Sequence, residues 1–168
     1  TTNNDALAQK IKKLRVHGTE ERYYHQMIGG NFRLDTIQAA ILNIKLPYLD
    51  QQHQQRRVHA QIYNESLNQN YIKPTVLEGY DMIYNQYTLR TKHRDALIKH
   101  LQNYTVGHAV YYPVPLHLQA CFSHLGYKAG DFPVSEQYAK EVLSVPIFPE
   151  LTQEELTYTC DVLNQFSK

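Results

Sequence analysis

Nine histidines, two cysteines and two loop-like stretches carry whatever chemistry this 168-residue sequence holds beyond packing. The histidines contain no H-x-x-x-H pair and no carboxylate at ligand spacing, so a protein-built metal centre is not expected. Most of them read as surface or internally satisfied side chains. No G-x-S-x-G elbow is present, and Cys121 and Cys160 lie far apart on partly apolar helical segments, so both read as core residues.

The first loop-like stretch is "IGGNFRLD", Ile28 to Asp35. Glycines let backbone N–H groups approach a ligand, the Asn31 amide donates, and a helix-like pattern follows directly. Those are the ingredients of a phosphate site, and Gly-Gly-Asn also makes an ordinary turn. The second stretch is "YYPVPLHLQ", Tyr111 to Gln119. Two tyrosines lead into a segment stiffened by Pro113 and Pro115, with His117 at a helix start. It suits a ligand wall, and equally a crossover whose tyrosines only pack.

The elements that position these stretches are legible in the pattern. Asn3 or Asn4 caps a helix carrying Leu7, Ile11 and Leu14, which "HG" at 17–18 ends. Asp35 and Gln38 form a capping box for a helix with Ile37, Ile41 and Ile44 on one stripe. Pro47 marks a break, and a third helix presents Val58, Ile62 and Leu67. "YIKPTVL", "MIYNQYTLRT" and "VGHAVYYP" read as strands, with Ile83, Tyr87 and Leu89 sharing a face. Between the last two, "RDALIKHLQNY" reads as a helix with Leu97, Leu101 and Tyr104 inward. Helices are expected at 116–125, 135–143 and 152–166, the last opened by a Thr152/Glu155 capping box. The pattern changes character near residue 70. The whole predicts an α/β or α+β arrangement.

Composition excludes several classes. A formal charge of +1 gives no basic field for nucleic acid, and no apolar run is long enough to span a bilayer. The sparse cysteines suit a reducing, cytoplasmic setting. Fourteen tyrosines without a tryptophan put many hydroxyls where they need partners once buried. The opening "TTNNDALAQKI" has no initiator methionine and starts a helix at once, so the sequence reads as part of a longer protein.

Taken together and in order, "RVHG", "YYHQMIGGNFRLDTIQAAILNIKLPYLD", "NQYTLRTKHRDAL", "YYPVPLHLQACFSHLGYKAGDFPVSE" and "LSVPIFPELTQEEL" resemble the C-terminal half of the DegT/DnrJ/EryC1/StrS sugar-nucleotide aminotransferases. The resemblance runs from about Asn3 to Phe166. It implies an α/β fold: the end of the large domain and the small C-terminal domain of a type I, aspartate aminotransferase-like transferase. On that basis residues 1–50 close the large, cofactor-binding domain and 51–168 form the small one.

The resemblance also implies the site. Pyridoxal 5'-phosphate is the cofactor, and the "GGNFR" loop of one subunit reaches into its partner's site in a homodimer. Asn31 donates to the cofactor phosphate, with Gly30 beside it. Arg33 touches the nucleotide-sugar or pairs with a carboxylate at the dimer interface. Tyr23, Tyr24 and His25 line the same cleft, and Tyr112 and His117 are substrate contacts near the sugar. The lysine that carries the cofactor, and the aspartate facing its pyridine nitrogen, fall before Thr1, so no catalytic residue is expected in this chain. The implied reaction moves an amino group, from glutamate, to a nucleotide-linked keto-sugar, with the wording favouring 3-keto over 4-keto sugars. The alternative is a non-catalytic nucleotide-sugar-binding or dimerisation module. Neither nucleic acid nor a membrane is an expected partner.

Overall fold

The computed structural model describes residues 1–21 and 23–167. The chain forms two compact units, Thr1–Tyr48 and Leu49–Lys168. The second begins well before residue 70, because the third helix packs into its core.

In the first unit, Asn4 caps α1 (Asp5–Leu14), its Oδ1 accepting from the Leu7 N–H at 3.0 Å. His17 and Gly18 then turn the chain in the left-handed region, at φ 64 and 74. Where a loop was expected, β1 (Thr19–Glu21) and β2 (Tyr24–His25) form a small antiparallel hairpin. α2 (Thr36–Lys45) follows, with Gln38 Oε1 accepting from the Asp35 N–H at 3.0 Å. A 3₁₀ turn over Leu46–Tyr48 accommodates Pro47. Neither helix of this unit contains a buried residue.

The second unit is built around two paired strands. β3 (Tyr87–Arg90) and β4 (Val142–Val145) run antiparallel, with Leu89 facing Leu143 and Arg90 facing Val142. α3 (Leu49–Ser66), α4 (Arg94–Asn103), α5 (Pro133–Glu141) and α6 (Gln153–Gln165) surround them. The buried core draws Tyr63, Leu67, Tyr87, Leu89, Leu97, Leu101, Leu143, Leu156 and Leu163 together from all of these elements but α5. α6 opens with the expected box: Thr152 Oγ1 accepts from Glu155 N at 3.2 Å, and Glu155 Oε2 from Thr152 N at 2.9 Å.

Several expectations are corrected here. The buried face of α3 is Ala60–Tyr63 with Leu67, not Val58, Ile62 and Leu67; Val58 is exposed and Ile62 only partly covered. Tyr63 wins the inward position because its ring meets Tyr87 at 4.8 Å while its hydroxyl donates to Pro146 O at 2.8 Å. Ile83 and Tyr104 are exposed rather than inward. "YIKPTVL" contributes one bridge, Ile72 to Arg90, and "VGHAVYYP" one, Ala109 to Ser144. Pro74 within the first and Pro113 at the end of the second lack the N–H a ladder needs. β4 arises in residues not read as a strand. Segment 116–125 is two 3₁₀ turns, Leu116–Leu118 and Ala120–Leu125, instead of an α-helix. Cys160 is buried, as expected, and its thiol is pushed up to about 11 by that burial; Cys121 is exposed, not core.

Candidate functional site

In the first unit the loop 28–33 lies along the end of α1. His17 N donates to Gly30 O, Gly30 N to Leu14 O, and Phe32 N to Arg15 O, each at 2.9 Å. The approach is so close that a Cβ on Gly29 would stand 2.5 Å from both Gly18 N and Leu14 O. One on Gly18 would stand 1.7 Å from Met27 O. These glycines are required by packing of the loop on the helix end. That revises the part expected of Gly30. Its N–H is spent on Leu14 O, so it shapes the loop and has no hydrogen left for a phosphate.

Asn31 is arranged differently. Its side-chain oxygen accepts from Arg33 Nε at 2.8 Å. Arginine has no acceptor, so the atom facing it must be Oδ1, which turns the Nδ2 amide the other way with both hydrogens unspent among the described residues. Arg33 therefore orients Asn31, a pairing that the sequence reading did not anticipate.

Tyr23, Tyr24 and His25 belong to the same unit and are exposed. His25 Nδ1 donates to His17 O at 2.9 Å. His17 thus joins the hairpin through its carbonyl and the glycine loop through its N–H. Sequence reasoning took it only as a helix stop. Lys13 Nζ bridges Glu20 Oε2 at 2.7 Å and Gln26 Oε1 at 3.0 Å, and holds the Glu20 carboxyl below its ordinary value.

In the second unit, Tyr111 to Leu116 form one wall of a cleft of about 380 Å³, faced by Ser135, Tyr138 and Val142. Tyr112 is 72 % exposed and its ring meets Tyr111 edge-on at 5.6 Å. His117 does not join it. Its side chain is only 8 % exposed, its Nε2 donates to Glu136 Oε1 at 3.0 Å, and its ring packs on Phe132 at 4.8 Å. Its expected substrate contact is therefore replaced by a bond inside the protein. A second cleft of about 300 Å³ is lined by Asn85, Gln86, His108, Tyr111, Ser144 and Phe148, among others. None of these but Tyr111 belongs to a stretch singled out as a ligand wall. The one available signal was a pair of amides directly ahead of β3. Among the described residues, no group of three or more His, Cys, Asp or Glu side chains is placed to hold a metal.

The profile of the DegT/DnrJ/EryC1/StrS aminotransferase family matches residues 1–164. The chain belongs to that family. It is 44 % identical over 169 residues to the "Pleiotropic regulatory protein" of Geobacillus stearothermophilus, covering 98 % of this chain and 45 % of that protein. It is 36 % identical over 167 residues to the dTDP-3-amino-3,6-dideoxy-alpha-D-galactopyranose transaminase of Aneurinibacillus thermoaerophilus, covering 99 % and 46 %. The crystal structure of S. venezuelae DesV superposes with a TM-score of 0.92 at 32 % identity, over 98 % of this chain and 45 % of that one. The chain thus spans a little under half the length of these relatives. Its fold is the α/β arrangement of the type I pyridoxal-phosphate transferases to which the family belongs. No helix among the described residues is long and apolar enough to cross a membrane.

Proposed function

We propose that this chain is the C-terminal part of an aminotransferase that uses pyridoxal 5'-phosphate to move an amino group, from glutamate, onto a keto-sugar linked to a nucleoside diphosphate. The favoured substrate class is a 3-keto-6-deoxyhexose, in keeping with the amino sugar in the name of the A. thermoaerophilus relative. Thr1 to about residue 50 would close the large domain, and the remainder would form the small one. The protein would act in the cytoplasm, as a homodimer.

The observation that carries this reading is Asn31. An amide held at its oxygen by Arg33 presents two N–H groups outward, which suits a phosphate dianion. Asn31 would hold the cofactor phosphate, and His17, Gly18 and Gly29 would keep its loop pressed on the α1 end. When bound, the cofactor supplies an electron sink for the exchange at the carbon–nitrogen bond. Tyr23, Tyr24 and His25 would line the same cleft, while Tyr112 would meet the sugar. The exposed stripe Ile37, Ile41 and Ile44 on α2 would be covered by the second subunit. Lys13, in the unit that carries the loop, is committed to Glu20 and Gln26, and Lys73 to two backbone carbonyls.

The test compares two substitutions in the enzyme containing this chain. A hydrogen bond to a charged group contributes about 1.5–3 kcal/mol, so Asn31→Ala should weaken cofactor binding roughly ten- to a hundredfold. Asn31→Asp should weaken it further, since it sets a carboxylate against the phosphate. An asparagine that only shapes a turn gives the reverse order, because aspartate keeps the turn chemistry. Cofactor affinity equal to wild type in Asn31→Asp sinks the phosphate role.

A further inference from the structure

Between the Ala109–Ser144 bridge and α5, the segment 113–131 contains only the two 3₁₀ turns. Its backbone bonds are local, such as Leu118 N to Pro115 O, Phe122 N to Gln119 O and Asp131 N to Lys128 O. Among the described residues, the hydrogen bonds tying it to the rest of its unit converge on one atom. Glu136 Oε1 accepts from His117 Nε2 at 3.0 Å and from Gly130 N at 2.8 Å. His117 lies in the first limb of the segment and Gly130 in the last, so a single carboxylate oxygen closes both onto the first turn of α5. The pair is shielded, with side-chain exposures of 8 % for His117 and 17 % for Glu136.

The first limb is also the cleft wall. Pro115 sits at φ −59 and ψ 146, an extended polyproline-like setting, and Pro113 two residues earlier has its φ fixed by its own ring. So stiff a stretch does not absorb a displacement at His117; it passes the movement on to Tyr111 and Tyr112. Tyr138 and Ala139 line the same cleft as Pro113–Leu116, and a mainly apolar surface of that kind is non-directional. A charge-assisted bond fixes direction.

We propose that Glu136 is a positioning residue: by holding both limbs of 113–131 it sets where Tyr111 and Tyr112 stand, and hence the shape of the cleft they wall. That the cleft receives a nucleotide-linked sugar rests on the proposed function; the clamp itself does not.

Hydrogen exchange of the protein containing this chain, followed by residue or by short peptide, tests it without substrate. Glu136→Ala should speed exchange of the bonded amides Leu118, Phe122, Gly126, Gly130 and Asp131 roughly ten- to a hundredfold, and shift the ring proton resonances of Tyr111 and Tyr112, leaving Leu89 and Leu143 protected. Glu136→Gln keeps an acceptor at the same place and should restore most of the protection. His117→Ala should release 116–122 alone, because Gly130 still reaches Glu136. Unchanged exchange in Glu136→Ala, acceleration spread equally through β3 and β4, or failure of that variant to fold would each overturn a local clamp. So would a Glu136→Gln variant as fast as Glu136→Ala. Failure here leaves the aminotransferase reading standing, and the cofactor test on Asn31 leaves the clamp untouched.

Discussion

The two units solve the same sequence problem in opposite ways. In Leu49–Lys168, helices and strands turn apolar faces onto each other, and Tyr63, Leu89, Leu97, Leu101, Leu143 and Leu163 vanish from the surface. In Thr1–Tyr48, an apolar stripe stays open: Ile37 is 72 % exposed and Ile44 69 %. Its order comes from backbone bonds and close glycine contacts around His17 and Gly18. Its glycine loop is accordingly held by main chain, whereas the cleft wall of the second unit is pinned by a side chain, Glu136. A periodic stripe therefore announces a helix without announcing a partner within the chain.

The largest effect expected from this contrast lies in the cores. Leu143→Ala removes a fully buried side chain from β4 and should cost about 2–5 kcal/mol of unfolding free energy. Ile37→Ala, on the open stripe of α2, should change the same quantity by no more than about 0.5 kcal/mol in this chain. Denaturant titration of both variants decides it. A comparable loss in Ile37→Ala would mean that the stripe is covered within the chain after all.

Legibility followed the same division. Asn4, Asp35 with Gln38, and Thr152 with Glu155 were readable because a cap is a local device, settled by three or four residues. Leu97 and Leu101 were readable because they recur at helical spacing. The face of α3 was misread because tyrosine hides its amphipathic character in a periodicity count: the phenol of Tyr63 needed Pro146, 83 residues away, before burial was favourable. β4 was missed because its four residues are all buried, so no polar–apolar alternation marks them, and its partners β3 and Ala109 are far along the chain. At the candidate site, the contact by which Arg33 turns Asn31 was not legible, and His117 was read as a substrate contact because its partner Glu136 lies 19 residues on.

Ionisation sharpens the contrast at intermediate scale. In the second unit, Glu141 is held below the ordinary 4.5 by Gln137 first and Arg90 next, Glu155 by the Thr152 N–H, and Glu136 by the Gly130 N–H. A carboxyl depressed in the folded state contributes stability above its unfolded value and loses it as pH falls through the lower folded one. Tyr71 behaves in reverse: burial pushes it up to about 12 from 10.0, so its contribution is complete below 10 and fades as pH rises towards 12. The buried tyrosines Tyr63 and Tyr87 report this unit through near-ultraviolet circular dichroism. Their signal should hold between these limits and fall away below 4.5 and above 10. An acid transition that begins well above 4.5 would take the loss away from these carboxylates.

The smallest effect sets cap against cap. Asn4 and Thr152 each accept a backbone N–H at the start of a helix, Asn4 from Leu7 and Thr152 from Glu155. Replacing such a residue with alanine costs about 1 kcal/mol. In α6 that loss is felt globally, because Leu156, Cys160, Val162 and Leu163 are buried and the helix cannot fray without opening the core. In α1 nothing is buried, so the helix can unwind while the remainder stays folded. Thr152→Ala should therefore lower the cooperative unfolding midpoint, while Asn4→Ala should leave it in place and only speed exchange of the amides in Asp5–Leu14. If Asn4→Ala moves the midpoint as far as Thr152→Ala does, the two units unfold as one and the division at Tyr48 has no energetic meaning.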